Sequence, residues 1–405
     1  MSAGFDDAFA STDPADPLVW LRRGEGMFGA GPAVLRIDDR EPGPRGARAA
    51  RLSAAWREVA AAAEVDDPLG IPGTGLVAFG ALAFDERSDA PSTLIVPSVI
   101  TGRRGDTAWI TRIRTADAAF EEAAATEIGP EWSAALAPGA ESPEAYAAAV
   151  EQALTAIDAG EVAKVVLARD LAGRVPPGAD LRRTVARLAT GYPDTWVYAV
   201  DGLIGASPET LVTVSRGAVT ARVLAGTAPR GDDPDSDAAA ALALATSPKD
   251  QDEHQYAVRS LVRTLEPHTR ALAASEQPFA LKLPNVWHLA TDVEAELRGD
   301  ASALDLVGAL HPTAAVAGTP TDAAIEVIRR LEPFDRGRYA GPVGWIDHRG
   351  DGEWAIALRC AQFTPDRDAR RVTAHAGAGI VSGSRPESET LETRVKFRAI
   401  LEALA

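Results

Sequence analysis

The chain has 405 residues, a formal net charge of −17, 46% hydrophobic residues and 24% charged residues. These proportions describe a globular protein long enough to bury a large core, and length alone would divide it into two or three domains. The acidic balance, without any basic stripe, excludes nucleic acid as the main partner, and no apolar run is long enough for a membrane-spanning helix.

A single cysteine, Cys360, excludes an internal disulfide framework and a cysteine-based zinc site. The opening "MSAGFDDAFASTDPADP" is acidic and does not read as a secretory leader, so a cytoplasmic protein is expected. Only four of the 41 basic residues are lysines: Lys164, Lys249, Lys282 and Lys396. Lysine, unlike arginine, can lose its proton when buried, which makes each of the four worth inspecting.

In chain order, residues 1–20 read as a flexible N-terminus. Residues 21–135 form a variable, Ala-, Gly- and Pro-rich part in which "GLVAFGALAFD" and "TLIVPSVI" look like strands. Ser142 then reads as an N-cap, with Pro143 at the first helical position and Glu144 favourable to the helix dipole. Tyr146, Val150, Ala153, Leu154 and Ile157 supply the apolar stripe of that helix, and Gly160 ends it. "VAKVVLARDL", "TWVYAVDG", "LIGASPETLVTVSRG" and "AVTARVLAGT" read as strands. "TSPKDQDEHQYAVRSLVRTLEPH" reads as a long helix burying Val258, Leu261, Val262 and Leu265.

Shorter helices are expected near 303–310 and 321–332. Three strands follow in "GPVGWIDHRG", "GEWAIALRCAQF" and "RRVTAHAGAGIV", and a helix closes the chain. Strands in adjacent runs with short turns favour antiparallel pairing and an α+β fold.

Two acidic pairs stand out. Asp250 and Glu253 are three apart on one predicted helix, and Glu389 and Glu392 are three apart on another, followed by Lys396. At 3.6 residues per turn each set lies on one stripe. One reading is a solvated face with an ordinary Glu392–Lys396 ion pair. The other is a pair of helices offering carboxylates to a hard cation such as Mg²⁺, with waters and substrate oxygens completing the shell. Lys164 is either an edge-strand lysine that deters aggregation or a desolvated general base. Glu209, in "GASPETL", is either a turn carboxylate or a buried acid kept protonated.

The ordered motifs "AKVVLARD", "GASPET", "LAGTAPRG", "SPKDQDEH", "NVWHLAT", "ALHPTAAVAGTP", "YAGPVGWID", "WAIALRCA" and "AHAGAGIVSGSRPESETLETRVK" resemble the chorismate-utilising enzymes. That family includes isochorismate, salicylate, anthranilate and aminodeoxychorismate synthases. The resemblance spans residues 140–403, with a looser echo at "GALAFD". It implies a chorismate-binding, anthranilate synthase component I-like fold of two stacked, mostly antiparallel sheets with helices outside. It assigns Mg²⁺ to Glu253 and Glu389, with Asp250 and Glu392 acting mostly through water. It gives the substrate carboxylates to the backbone around Gly226 and Thr227, to Arg359, Gly377, Gly379 and Lys396, with Tyr339 beside them and His288 near the ring. His254 and Cys360 are expected to be structural.

Three positions narrow the expectation within the family. Lysine at 164 resembles members whose nucleophile is water, and no glutamine amidotransferase partner is then expected. Ala315 stands where pyruvate-eliminating members carry threonine. The resemblance therefore implies a Mg²⁺-dependent isochorismate synthase acting on chorismate, with Lys164 as base and Glu209 as acid, and a monomer by default. A salicylate synthase and a non-catalytic chorismate-binding protein are the alternatives. Thr210 and Ala317 depart from the family pattern at positions near-neutral to the chemistry and leave the pocket shape open. Nothing in the motifs chooses between menaquinone and siderophore synthesis.

Overall fold

The computed structural model describes residues 3–405 except 232, 276, 283–285 and 367–368; side chains of residues 3–5, 225, 227, 229, 249, 253, 286, 366 and 369 are outside the description. Among the described residues every strand pairing is antiparallel, and hydrogen bonding connects all 19 strands into one network. The α+β class and the mostly antiparallel pairing hold, and strand pairing runs continuously through the layers.

The long strands show why. Lys164–Val175 and Ala369–Val381 pair along their whole length, from Val381 opposite Lys164 to Arg370 opposite Val175. At one end Val165, Leu167, Ala378 and Ile380 enter one hydrophobic core, and at the other Leu171, Val175, Ala374 and Ala376 enter a second. A bulge between Thr210 and Val212 likewise bends the strand Thr210–Ser215, and bulges are where strands change direction.

The helix Pro143–Asp158 begins as its sequence dictates, the Ser142 hydroxyl accepting from the Ala145 N–H at 3.2 Å. It buries Tyr146, Val150 and Ala153 completely, while Leu154 and Ile157 pack at the core margin. The small Ala149 and Ala156 are buried as well, and the helix lies against the Lys164 strand and the C-terminal helix Pro386–Leu404. The second long helix, Pro248–Leu265, is capped by Ser247 and buries Leu265, with Val258 and Leu261 against the core.

Several elements differ from the expectation. The segment read as a flexible N-terminus carries a helix, Ala3–Ala10, and is docked from residue 8 onward. Phe9 packs on Phe28 with centroids 5.5 Å apart, and the buried Arg182 donates to the Ala10 carbonyl at 2.7 Å. The helices Ala47–Ala62, Arg182–Gly191 and Pro234–Thr246 also add to the elements the sequence suggested.

Candidate active site

Lys164 opens its strand with partners on both edges, Val381 on one side and Thr319 on the other. It is therefore not an edge-strand lysine, and that reading falls. Gly379 lies under its side chain: a Cβ there would sit 3.1 Å from Lys164 Cε and 3.8 Å from Nζ. Any larger residue at 379 would press on the amine.

Three further groups share the electrostatic neighbourhood of that amine. Glu209 follows the Ser207–Pro208 turn, its N–H donating to the Ser207 hydroxyl at 3.2 Å and its carbonyl accepting from Ile356. Burial pushes the Glu209 carboxyl above its ordinary range, opposed by the charges of Lys164 and Lys396. His288 places Nδ1 3.3 Å from the Gly226 carbonyl. Burial lowers its pKa against that hydrogen bond, and Lys164 and Lys396 lower it further. Lys396 donates to the Gly377 carbonyl at 2.8 Å and pairs with Glu392 at 2.6 Å. Four chemistry-bearing side chains from four separate elements are thus linked electrostatically, both lysines acting on Glu209 and on His288.

The acidic stripe borders them. The Glu389 carboxyl is raised by burial and by neighbouring Glu392, against a hydrogen bond from Ser384 and the charge of Lys396. Gly226, at φ +80°, sits at a register shift between Ala225 and Thr227, and a Cβ on it would lie 3.3 Å from Asp250 Cβ. Glycine is the residue that adopts this bulge conformation without strain. Asp250 is thereby brought to the strand facing His288, and the Thr227 backbone lies opposite His288. The side chains of Thr227 and Glu253 lie outside the described residues. Among the described residues no group of three or more His, Cys, Asp or Glu side chains is arranged to hold a metal ion.

Arg359 adopts φ +51°, uncommon for a residue with a side chain, and its pKa is lowered by burial against Tyr339, Tyr192 and Glu392. Tyr339 is buried and stacks on His375 with centroids 5.1 Å apart. Ala315 occupies an exposed turn, and no described contact ties its side chain to Lys164. His254 is buried with Nε2 2.7 Å from the Thr291 hydroxyl, and Cys360 is a buried thiol directed at the Ala357 carbonyl. Both are structural, as expected.

Sequence reasoning passed over Glu141, Glu332 and Arg336, all buried. The charged cluster in "LEPFDRGRY" between a helix and a buried strand was the available signal for the last two.

A family model described as "Chorismate binding enzyme" matches residues 27–405, reaching well into the part the motifs left uncovered. The isochorismate synthase DhbC of Bacillus subtilis is 40% identical over 274 residues, which is 65% of this chain and 68% of that one. A putative isochorismate synthase MenF of Mycobacterium tuberculosis is 39% identical over 347 residues, 82% of this chain and 87% of the relative. The crystal structure of a putative 2,3-dihydroxybenzoate-specific isochorismate synthase, DhbC from Bacillus anthracis, superposes with TM-score 0.75 at 30% identity, covering 99% of both chains. The menaquinone-specific MenF of Escherichia coli superposes with TM-score 0.75 at 25% identity over 98% of this chain and 91% of that one. Match and fold together place this chain in the chorismate binding enzyme family.

Proposed function

We propose that the protein is a Mg²⁺-dependent isochorismate synthase that converts chorismate to isochorismate. The observation that carries this reading is Lys164 on a doubly paired strand over Gly379, with Glu209 and His288 both in the field of Lys164 and Lys396. The names of the relatives, isochorismate synthases at 39–40% identity, support it.

The acid–base assignment follows from burial. A charged Lys164 with an ionised Glu209, and a neutral Lys164 with a protonated Glu209, carry the same number of protons. Burial at Glu209 favours its protonated form, and with it the neutral pair. Neutral Lys164 takes a proton from the water that attacks C2, and protonated Glu209 gives one to the hydroxyl leaving C4 as water. The C2–O bond forms, the C4–O bond breaks and the ring double bonds shift. The proton gained by Lys164 equals the one lost by Glu209, so the reaction is an isomerisation with no net proton.

Chorismate is a dianion and the protein is strongly acidic overall, so its site must supply local positive charge. Arg359, Lys396 and the backbone around Gly226, Thr227, Gly377 and Gly379 are assigned that task, with Tyr339 beside them. The like charge of Glu392 raises the Glu389 pKa, a repulsion that a divalent ion beside them would offset. Glu389 and Glu253 would hold it, with Asp250 and Glu392 through water, and it would neutralise substrate charge. Ala315, small and apolar, fits isochorismate as the end product.

The test is product analysis of the protein with chorismate and Mg²⁺, with and without EDTA. Isochorismate without salicylate or pyruvate, abolished by EDTA, is expected. Equimolar salicylate and pyruvate would establish the salicylate synthase instead, and an EDTA-insensitive rate would remove the metal.

A further inference from the structure

One edge of the Lys164 strand is covered in three pieces. Thr319 and Gly318 pair with Lys164 and Val165, and the Val166 N–H donates to the Ala317 carbonyl at 2.8 Å. Farther along, Leu136–Pro138 pair with Leu171–Gly173. Between them, among the described residues, no strand takes up the backbone groups of Val166 and Ala168 on this edge. Two side chains do. Glu332 Oε1 accepts from the Ala168 N–H at 2.8 Å, and Arg336 Nη2 donates to the Val166 carbonyl at 2.7 Å. Glu332 and Arg336 also pair with each other, Nε to Oε2 at 2.8 Å, and each side chain is only 2% exposed.

The same guanidinium donates through Nη1 to the Val316 carbonyl at 3.0 Å, next to Ala315, and lies 5.9 Å from the centroid of Tyr339. It also covers the Phe84 ring at 4.4 Å. One buried ion pair thus fixes the strand two residues from Lys164, the turn carrying Ala315 and the neighbourhood of Tyr339. Covering Val166 and Ala168 alone would need only neutral donors and acceptors. A planar fork with five donors reaches all of these acceptors in fixed directions, and lysine does not.

We propose that Glu332 and Arg336 are positioning residues for the reaction: they replace a missing segment of strand and tie the backbone that carries Lys164 to the backbone of the turn that carries Ala315. This rests on Lys164 being the base. Misplacement of a reacting group by about 1 Å costs on the order of a hundredfold in rate.

The test compares kcat and KM for chorismate in Arg336→Lys, Glu332→Gln, Arg182→Lys and Lys164→Ala, with rates normalised to folded protein. Arg182 and Asp180 form another buried ion pair, bonded to Ala10 and Glu127 and to none of the site residues, so its variant reports instability alone. Expected are kcat losses of about 10- to 100-fold in Arg336→Lys and Glu332→Gln, with KM within about threefold of wild type. Arg182→Lys is expected to lower the thermal midpoint with kcat unchanged. If Arg336→Lys fails to fold, Glu332→Gln, which keeps an acceptor for the Ala168 N–H, decides alone. A kcat within about twofold of wild type in the folded variants overturns the inference. Turnover retained in Lys164→Ala overturns the underlying reading instead.

Discussion

The two walls of the candidate site are built differently. The wall bearing Lys164 is dry: seven consecutive residues after the lysine are buried, and the Glu332–Arg336 pair is enclosed. Its outer anchor is Arg169, which donates to Thr393 at 2.7 Å and lies 4.9 Å over the Phe397 ring, tying the acidic C-terminal helix to the strand. The opposite wall, bearing Gly226 and His288, is flanked by the largely exposed strands Thr269–Ala274 and Phe279–Lys282. Its ion pairs Arg222–Asp292 and Arg270–Glu296 are open to water. Under the proposed mechanism the enclosed wall is the one that carries the base, whose proton transfer needs atoms held at hydrogen-bond distance. The wall assigned to ligand carboxylates has fewer fixed contacts.

The largest effect expected from this contrast lies in the acid. Glu209→Gln keeps shape and hydrogen-bonding capacity but lacks the acidic proton, and steady-state kinetics should show a kcat loss of about 10²–10⁴-fold. Next comes the metal. Glu389→Ala should raise the Mg²⁺ concentration for half-maximal rate about tenfold or more, read from a Mg²⁺ titration of the rate.

A third comparison sets the walls against each other directly. Arg336→Met leaves Glu332 buried and unpaired and should cost about 3–5 kcal/mol in denaturant unfolding. Arg222→Ala removes an exposed pair and should cost about 0–1 kcal/mol. Equal costs would dissolve the distinction.

The last effect appears only as pH rises and concerns Glu141, whose Oε2 has no hydrogen-bond partner among the described residues and whose pKa is pushed from 4.5 to about 8 by burial, Glu332 and Asp170. The folded protein holds a proton there that the unfolded chain releases above about pH 4.5. Stability is therefore lost as pH rises from 4.5 to about 8, and the loss is complete above that. Glu141→Gln escapes it. Its thermal midpoint relative to wild type should be near parity at pH 5 and should climb toward pH 8.

Much of this was legible in the sequence because local rules and global fold agree. Ser142 and Ser247 cap the helices they announce, and the strands from Lys164 to Val381 fall where apolar runs end in turn residues. The helix Pro234–Thr246 was equally legible in "DDPDSDAAAALALAT", where Asp233 and Ser236 form a capping box, but the neighbouring helix start drew the attention. The docked N-terminus was not legible. Phe9 and Arg182 are far apart in sequence, and only tertiary contact shows that Ala10 caps a buried guanidinium. Lys164, Glu209 and Lys396 could be named from motifs, yet their shared field could not, since it depends on which strands pair. Glu332 and Arg336 carry no periodicity that marks them as a substitute for a strand edge.

The most direct test measures chorismate binding and chorismate turnover side by side in Lys164→Ala. The expected result is a folded protein that binds chorismate within about threefold of wild type and forms isochorismate at least about a hundredfold more slowly. Isochorismate formation near the wild-type rate would contradict the assignment of Lys164 as the base and with it the account of the site.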